Sequence, residues 1–204
     1  MNKILKIGIT GGIGSGKTTV CHLFEKKGIP VYYADAKAKE LVEKNQDLKN
    51  AIIQNFGNES YFDDGKYNIK FISNLVFKNN SKLQVLSNII HPYVIKDAQQ
   101  WHEAQQNVPF TIKESALLFE NKLEYTVDKI ITVIAPLEIR IQRLLLRDNL
   151  TNSQIVERIE KQLPDDIKTK FADFVVVNDN TQNLESQIQN IYKILVHKSV
   201  TKSK

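Results

Sequence analysis

Residues 8–20 read GITGGIGSGKTTV and contain five of the chain's eight glycines. Within this stretch, Gly11, Gly16, Lys17 and Thr18 have the spacing G-x-x-x-x-G-K-T, which is typical of a phosphate-binding loop. Glycines allow the backbone to turn its N–H groups toward an anion, and the N-terminus of a following helix adds to the attraction. The spacing predicts that Lys17 reaches the β- and γ-phosphates of a nucleoside triphosphate and that the Thr18 hydroxyl is a ligand of Mg²⁺.

The elements that must position this loop are an apolar strand before it and a helix after it. Residues 4–9 predict a buried strand, and a helical pattern begins near residue 17. A dinucleotide-binding motif is excluded, because the glycine spacing is wrong and no acidic residue ends a second strand. The loop therefore predicts an ATP site between strand and helix. Its residues are Gly12, Ile13, Gly14, Ser15, Gly16, Lys17, Thr18 and Thr19.

Short apolar runs alternate with helical patterns along the whole chain. The predicted strands are residues 5–9, 31–33, 110–112, 129–134 and 174–177. Strands that alternate with helices predict an α/β fold in which helices cover both faces of a parallel sheet.

Two helical additions to this sheet are predicted. Residues 45–80 are more polar and contain turn signals at Gly57 and Gly65, so we expect a small helical insertion on the substrate side. Residues 137–163 contain two helical patterns and predict a helical lid. A chain of 204 residues can bury one good core, so we expect a single domain, residues 1–204, that includes both additions.

The composition argues against several function classes. The chain is 42% hydrophobic and 25% charged, as is usual for a soluble globular protein, and its net charge of +5 is too small to indicate a nucleic-acid partner. Cys21 is the only cysteine, which excludes an internal disulfide, and we interpret it as a packing residue. No apolar run is long enough to cross a bilayer, and Lys6 interrupts the start too early for a signal peptide. We expect a cytoplasmic protein without membrane or nucleic-acid partners, acting as a monomer or weak homo-oligomer.

Other motifs narrow the class of phosphate-loop protein. A GTPase switch needs Asp three residues before a glycine, and no glycine of this chain has one. A motor ATPase needs an apolar strand that runs into Asp, whereas residues 130–134 run into Ala135 and Pro136. Both absences favour a small-molecule kinase. The alternatives are a kinase of another nucleotide or small metabolite, and an ATP-hydrolysing switch or binding module.

Asp35 is a candidate general base. It follows the predicted strand 31–33, and ligands of an open parallel sheet bind at the carboxyl ends of the strands. A carboxylate at this place can orient and deprotonate an attacking hydroxyl group. An N-cap of a helix that begins at Ala36 is the structural alternative, and the two roles are compatible.

Arg140, Arg143 and Arg147 are predicted to share one face of a helix, because they are spaced three and four residues apart. Like charges so placed repel one another, and no Asp or Glu lies three or four residues from any of them. We expect the triphosphate to be the missing counter-charge when the lid closes. A solvated basic face is the alternative.

Seven segments, in order along the chain, resemble the dephospho-CoA kinase family. They are GITGGIGSGKTTV, GIPVYYADAKAKE, IIHPYV, ALLFE, RLLLRD, RIEKQ and ADFVVVNDN, and the resemblance extends over residues 7–194. It implies a three-layer P-loop kinase fold that uses ATP and Mg²⁺. The implied reaction is ATP plus dephospho-CoA giving ADP plus CoA, with the ribose 3′-hydroxyl as acceptor.

The resemblance also implies roles for individual residues. Arg143 matches the family's lid arginine and joins Lys17 and Asp35 as a predicted catalytic residue. Arg147 and Asn178 are implied to contact ATP, with Asn178 beside the adenine, although Asn is also an ordinary turn former.

Contacts with dephospho-CoA are implied for Asp35, His91 and Leu117. For His91, the alternative is a kink at Pro92 in which the histidine binds freed backbone carbonyls. Glu120 either helps to hold Mg²⁺ through water or caps the next turn.

The chain also departs from the family pattern. Tyr33 stands where the family usually has an Asp, Ser115-Ala116 replaces a common Pro, and Ile69 stands where Arg is frequent. These departures bear on the contacts with the acceptor more than on the reaction.

Overall fold

The computed structural model describes residues 4–77, 79–148 and 150–201. In this part of the chain, parallel strands form one sheet in the order β2-β3-β1-β4-β5. The strands are β1 (Leu5–Gly11), β2 (Val31–Tyr33), β3 (Phe110–Glu114), β4 (Lys129–Ile134) and β5 (Phe174–Val177). The predicted strands and the parallel α/β sheet are therefore confirmed.

The helices connect these strands in the expected alternation. They are α1 (Lys17–Glu25), α2 (Ala34–Lys44), α3 (Gln46–Phe56), α4 (Ile69–Phe77), α5 (Asn80–Glu103), α6 (Leu137–Arg147), α7 (Asn152–Glu160), α8 (Asp165–Phe171) and α9 (Leu184–Thr201). Pro92 lies inside α5 and does not end it, although it removes one backbone donor from the helix. None of the described helices combines the length and the apolarity needed to span a bilayer.

The chain divides into two compact units, one formed by residues up to 33 and from 102 onward, the other by residues 34–101. In the first unit, alternate residues of β1 point into one core because successive strand side chains face opposite sides of a sheet. Ile7 and Ile9 are completely buried there, against apolar side chains of α1 and α9. Those helical side chains are Val20, Cys21, Phe24, Ile188, Ile191 and Leu195. The packing holds the start of α1 at the end of β1.

The opposite face of β1 is covered closely at Gly8. A Cβ atom at this position would lie 3.1 Å from Leu118 Cδ2 and 3.2 Å from a methyl of Val127. The segment after β3 therefore approaches the strand at a distance that leaves little room for a side chain.

The second unit has its own small core, to which α2, α3, α4 and the segment between α3 and α4 contribute. Tyr61 lies among Val42, Leu48, Ile52 and Ile72, and its hydroxyl donates to the backbone carbonyl of Val42 at 2.7 Å. At the start of α3, the side chain of the residue before it, Asn45, accepts from Leu48 N at 2.9 Å, as expected of an N-cap.

Cys21 is buried in the core of the first unit, so its interpretation as a packing residue is confirmed. Burial raises the pKa of its thiol far above the ordinary range, and the nearby carboxylates of Glu114 and Glu25 raise it further. Because the thiolate is the reactive form, this cysteine stays protonated and inert at neutral pH.

Candidate active site

The glycine-rich loop connects the end of β1 to the start of α1. Gly16 takes the position before the helix with φ +92°, a left-handed conformation that suits glycine. Lys17 is the first residue of the helix, and its Nζ donates to the carbonyls of Gly11 at 3.1 Å and Gly12 at 3.4 Å. The ammonium group is therefore held beside the loop backbone, at the positive end of the α1 dipole.

Two glycines of the loop make room for side chains from elsewhere in the first unit. A Cβ atom at Gly12 would overlap the guanidinium of Arg140, and one at Gly16 would overlap the side-chain amide of Asn178. The glycines thus serve the packing of the loop against its surroundings as well as its turn.

Arg143 and Asn178 bind the second half of the loop. Asn178 Nδ2 donates to Ser15 O at 2.8 Å, and Arg143 donates to the carbonyls of Gly14 and Ser15 at 3.4 Å each. Arg143 also donates to Asn178 O at 3.0 Å and to Asn180 Oδ1 at 2.6 Å. These partners are neutral oxygen atoms, and no carboxylate of the described residues forms an ion pair with Arg143.

The other two arginines of α6 have carboxylate partners, so the expectation that all three lack a counter-charge is wrong. Arg140 is buried and its NH1 lies 3.2 Å from Asp165 Oδ2. Arg147 makes two hydrogen bonds of 2.9 Å to the carboxylate of Asp148. Asp165 is the first residue of α8, and Asp148 is the residue that follows α6. Neither carboxylate lies three or four residues from its arginine, so neither pairing follows helical spacing.

Asp35 lies in the first turn of α2, with an exposed side chain. Because this helix begins at Ala34, Asp35 lies inside it, and the alternative of an N-cap for a helix that begins at Ala36 is wrong. A carboxylate in the first turn still interacts favourably with the helix dipole. His91 is half-buried inside α5, directly before Pro92.

The structure brings Lys17, Arg143 and Asn178 together around the loop in the first unit. Thr18 and Thr19 follow in the first turn of α1 with exposed side chains. Leu117, also in the first unit, is 39% exposed in the segment after β3, whereas Asp35 and His91 belong to the second unit.

Glu114 is a buried carboxylate that the sequence interpretation missed. It ends β3 and pairs in register with Ile9 of β1, the strand that leads into the loop. Its charge helps to raise the pKa of Cys21 and that of Tyr33, in both cases after the larger effect of burial. Glu114 lies two residues beyond the end of the predicted strand 110–112, and the sequence alone does not show that this strand is a neighbour of β1.

The described bonds of Glu120 go to the segment between α7 and α8 and to α8, and not to the turn that follows it, so the expected capping role is wrong. Its Oε1 accepts from the backbone N–H of Leu163 at 3.0 Å and lies 2.8 Å from Nζ of Lys168, a completely buried lysine. The carboxylate therefore anchors the segment between α7 and α8.

The oxygen donors near the loop suit Mg²⁺. The Thr18 hydroxyl and the Glu114 carboxylate supply the hard oxygens that this ion prefers, and substrate phosphates and water usually complete its coordination. Among the described residues, no group of three or more His, Cys, Asp or Glu side chains could hold a metal ion by itself. A site of this kind fits Mg²⁺ that arrives with a nucleotide.

Comparisons with known proteins identify the family of this chain. The family model of dephospho-CoA kinase matches residues 5–183. Dephospho-CoA kinase from Bacteroides fragilis is 37% identical over 194 residues, covering 95% of this chain and 94% of the relative.

Solved structures show the same fold. TT1252 from Thermus thermophilus matches with a TM-score of 0.78 and 31% identity, covering 96% of this chain and 97% of that one. Dephospho-CoA kinase from Campylobacter jejuni matches with a TM-score of 0.67 and 22% identity, covering 95% of this chain and 98% of that one. The family model and the relatives each extend over most of the sequence. The chain therefore belongs to the dephospho-CoA kinase family, the enzymes that phosphorylate dephospho-CoA with ATP to give coenzyme A.

Proposed function

We propose that this chain transfers the γ-phosphoryl group of ATP to the ribose 3′-hydroxyl of dephospho-CoA, in line and without a phosphoenzyme. The observation that carries this proposal is the phosphate loop, in which the Lys17 ammonium donates to the carbonyls of Gly11 and Gly12 at the N-terminus of α1. Family membership supports the identity of the acceptor.

The triphosphate is bound by the loop from Gly12 to Thr19. Backbone N–H groups and the helix dipole attract the phosphate oxygens, and Lys17 adds a point charge beside the β- and γ-phosphates. Most of the rate enhancement comes from positioning and charge stabilisation, since the protein forms no covalent bond to the transferred group.

Arg143 stabilises the charge that develops during transfer, because its present partners are neutral oxygens that a phosphate can replace. Asn178 contacts ATP from the same side of the loop. Arg147 has a weaker role in ATP binding, since Asp148 already neutralises its charge.

Asp35 orients the acceptor hydroxyl and takes its proton. Its position supports this role, because it follows β2 by two residues at the carboxyl end of a parallel strand. His91 and Leu117 contact dephospho-CoA, as the family resemblance implies. The 45–80 insertion serves the acceptor side and residues 137–163 act as the lid of one kinase domain.

Mg²⁺ would be held by the Thr18 hydroxyl, and the Glu114 carboxylate would be a further oxygen donor. The ion supplies neutralisation of the phosphate charge when it is bound with ATP. The remaining steps belong to the chain's own residues: the loop holds the phosphates, and Asp35 accepts the proton.

The proposed setting is the cytoplasm, and the proposed enzyme is a monomer or weak homo-oligomer without nucleic-acid partners. The single, buried cysteine supports a reducing compartment, and the modest net charge of +5 supports small anionic ligands.

Replacing Lys17 with Met is expected to lower kcat/KM by about 10²–10³-fold, because the charge beside the transferred group is lost. The measurement is ADP release coupled to a reporter reaction, with circular dichroism to verify folding. Lys26→Met is the matched control, since Lys26 is exposed just after the end of α1. Turnover of Lys17→Met within a few-fold of the parent would remove the loop from the reaction.

Asp35→Asn is expected to lower kcat by roughly 10²–10⁴-fold, the usual contribution of a general base, while the fold is kept. The control is Asp47→Asn, because Asp47 is also an exposed acid in the first turn of a helix, α3. Steady-state rates at saturating dephospho-CoA separate the two variants. If both retain the parental kcat, Asp35 has only a structural role.

Arg143→Gln is expected to lower kcat more than it raises the KM for ATP, because its contact strengthens as charge develops in the transition state. Arg147→Gln should have a smaller effect, since its charge is already paired. Arg158→Gln on the exposed face of α7 is the control. Equal and small effects at Arg143 and Arg147 would assign both to a solvated basic face.

A further inference from the structure

The backbone of one residue of the phosphate loop, Ile13, is held on both sides by side chains distant in sequence. The N–H of Ile13 donates to Gln162 Oε1 at 2.6 Å, and the carbonyl of Ile13 accepts from Arg140 Nε at 2.9 Å. Arg140 lies in α6 and Gln162 follows α7. Both backbone groups of one loop residue are therefore bound by the 137–163 region.

Arg140 is itself fixed in place. Only 7% of its surface is exposed, and its NH1 is paired with Asp165 Oδ2 at 3.2 Å. The guanidinium also occupies the space where a side chain at Gly12 would lie. A planar guanidinium can bind a carbonyl and a carboxylate at once, which a lysine ammonium cannot do with the same geometry.

The backbone beside Gln162 is anchored as well. The N–H of the next residue, Leu163, donates to Glu120 Oε1 at 3.0 Å, and the same oxygen is 2.8 Å from Nζ of the completely buried Lys168. The segment from 162 to 168 thus contacts the loop and is tied to the body of the first unit by two carboxylates, Glu120 and Asp165. These contacts support the backbone of the loop at Ile13.

We propose that Arg140 and Gln162 are positioning residues that hold the backbone N–H and carbonyl of Ile13 and so keep the N–H groups of Gly14 and Gly16 oriented for the triphosphate. The N–H of Ile13 is used by Gln162 and that of Ser15 by the carbonyl of Gly12 at 3.1 Å, whereas the N–H groups of Gly14 and Gly16 donate to no oxygen of the described residues and remain for phosphate. A loop that is already ordered before ATP binds loses less conformational entropy on binding. The inference rests on the proposed function of the loop as the triphosphate site.

The contact between Gln162 and Ile13 either supports or hinders ATP binding, and the two roles predict opposite changes in the Kd for ATP. If the Gln162 contact had to break for phosphate to bind, removing it would strengthen ATP binding. If the contact supports the loop, removing it weakens ATP binding. The sign of the change in Kd therefore distinguishes the two roles.

The test is the Kd of the full chain for Mg²⁺-ATP, measured by titration calorimetry without acceptor. Gln162→Leu removes the acceptor atom at similar volume and is expected to raise the Kd about tenfold, the effect of one hydrogen bond that orders the site. Gln162→Asn, which keeps the amide but is too short, should change it in the same direction. Gln154→Leu is the matched control, because Gln154 Oε1 also accepts a backbone N–H, from Thr151 at 2.9 Å, away from the loop.

Two further readouts separate positioning from general stability. Hydrogen exchange should accelerate in residues 11–17 of Gln162→Leu and not in β3 or β4, and the KM for ATP should rise while that for dephospho-CoA does not. Arg140→Lys keeps the charge but loses the planar guanidinium that binds the Ile13 carbonyl and the Asp165 carboxylate at once, so it should also raise the Kd for ATP.

The measured Kd values test the roles of Gln162 and Arg140 separately from the proposed function of the loop. A parental or lower Kd in both Gln162 variants would overturn the role of Gln162, and a parental Kd in Arg140→Lys would overturn that of Arg140. Failure of the parent protein itself to bind ATP would instead refute the proposed function of the loop.

Discussion

The close approach of the phosphate loop to neighbouring side chains is the constraint on which the site depends. Arg140 and Asn178 occupy the positions that Cβ atoms at Gly12 and Gly16 would need. The glycines therefore do more than permit a turn, because they let two polar side chains bind the loop backbone directly. A larger residue at Gly12 would displace the guanidinium from its carboxylate partner and disturb both α6 and the loop.

Two buried ion pairs connect the chain segments that surround the loop. Arg140 pairs with Asp165, and Lys168 pairs with Glu120, with both cations almost fully removed from solvent. Removing one partner of such a pair typically destabilises a protein by about 3–5 kcal/mol, because an uncompensated charge stays buried. The pairs therefore fix the path of the chain between α7 and α8, which carries Gln162 to the loop.

Much of the fold is predictable from local patterns, because parallel strands covered on both faces are nearly continuous apolar runs. Residues 129–134 are an example, and the glycine spacing at 11–18 likewise predicts the loop between strand and helix. The pairing of Arg140 with Asp165 was not predictable, since it depends on where α8 begins relative to α6. The ion pair of Arg147 with Asp148 was not predicted, because Asp148 is adjacent in sequence and lies just outside the helix. Glu114 became recognisable only when the sheet order placed β3 beside β1.

The proposed function requires that the γ-phosphoryl group of the ATP bound by the loop is transferred to one acceptor. The most direct test compares ADP release with ATP alone and with dephospho-CoA, AMP, CMP, adenosine or shikimate added. We expect slow release from ATP alone and a sharp acceleration with dephospho-CoA, accompanied by formation of the 3′-phosphorylated product. Release that is independent of the acceptor, or faster with one of the other compounds, would contradict it.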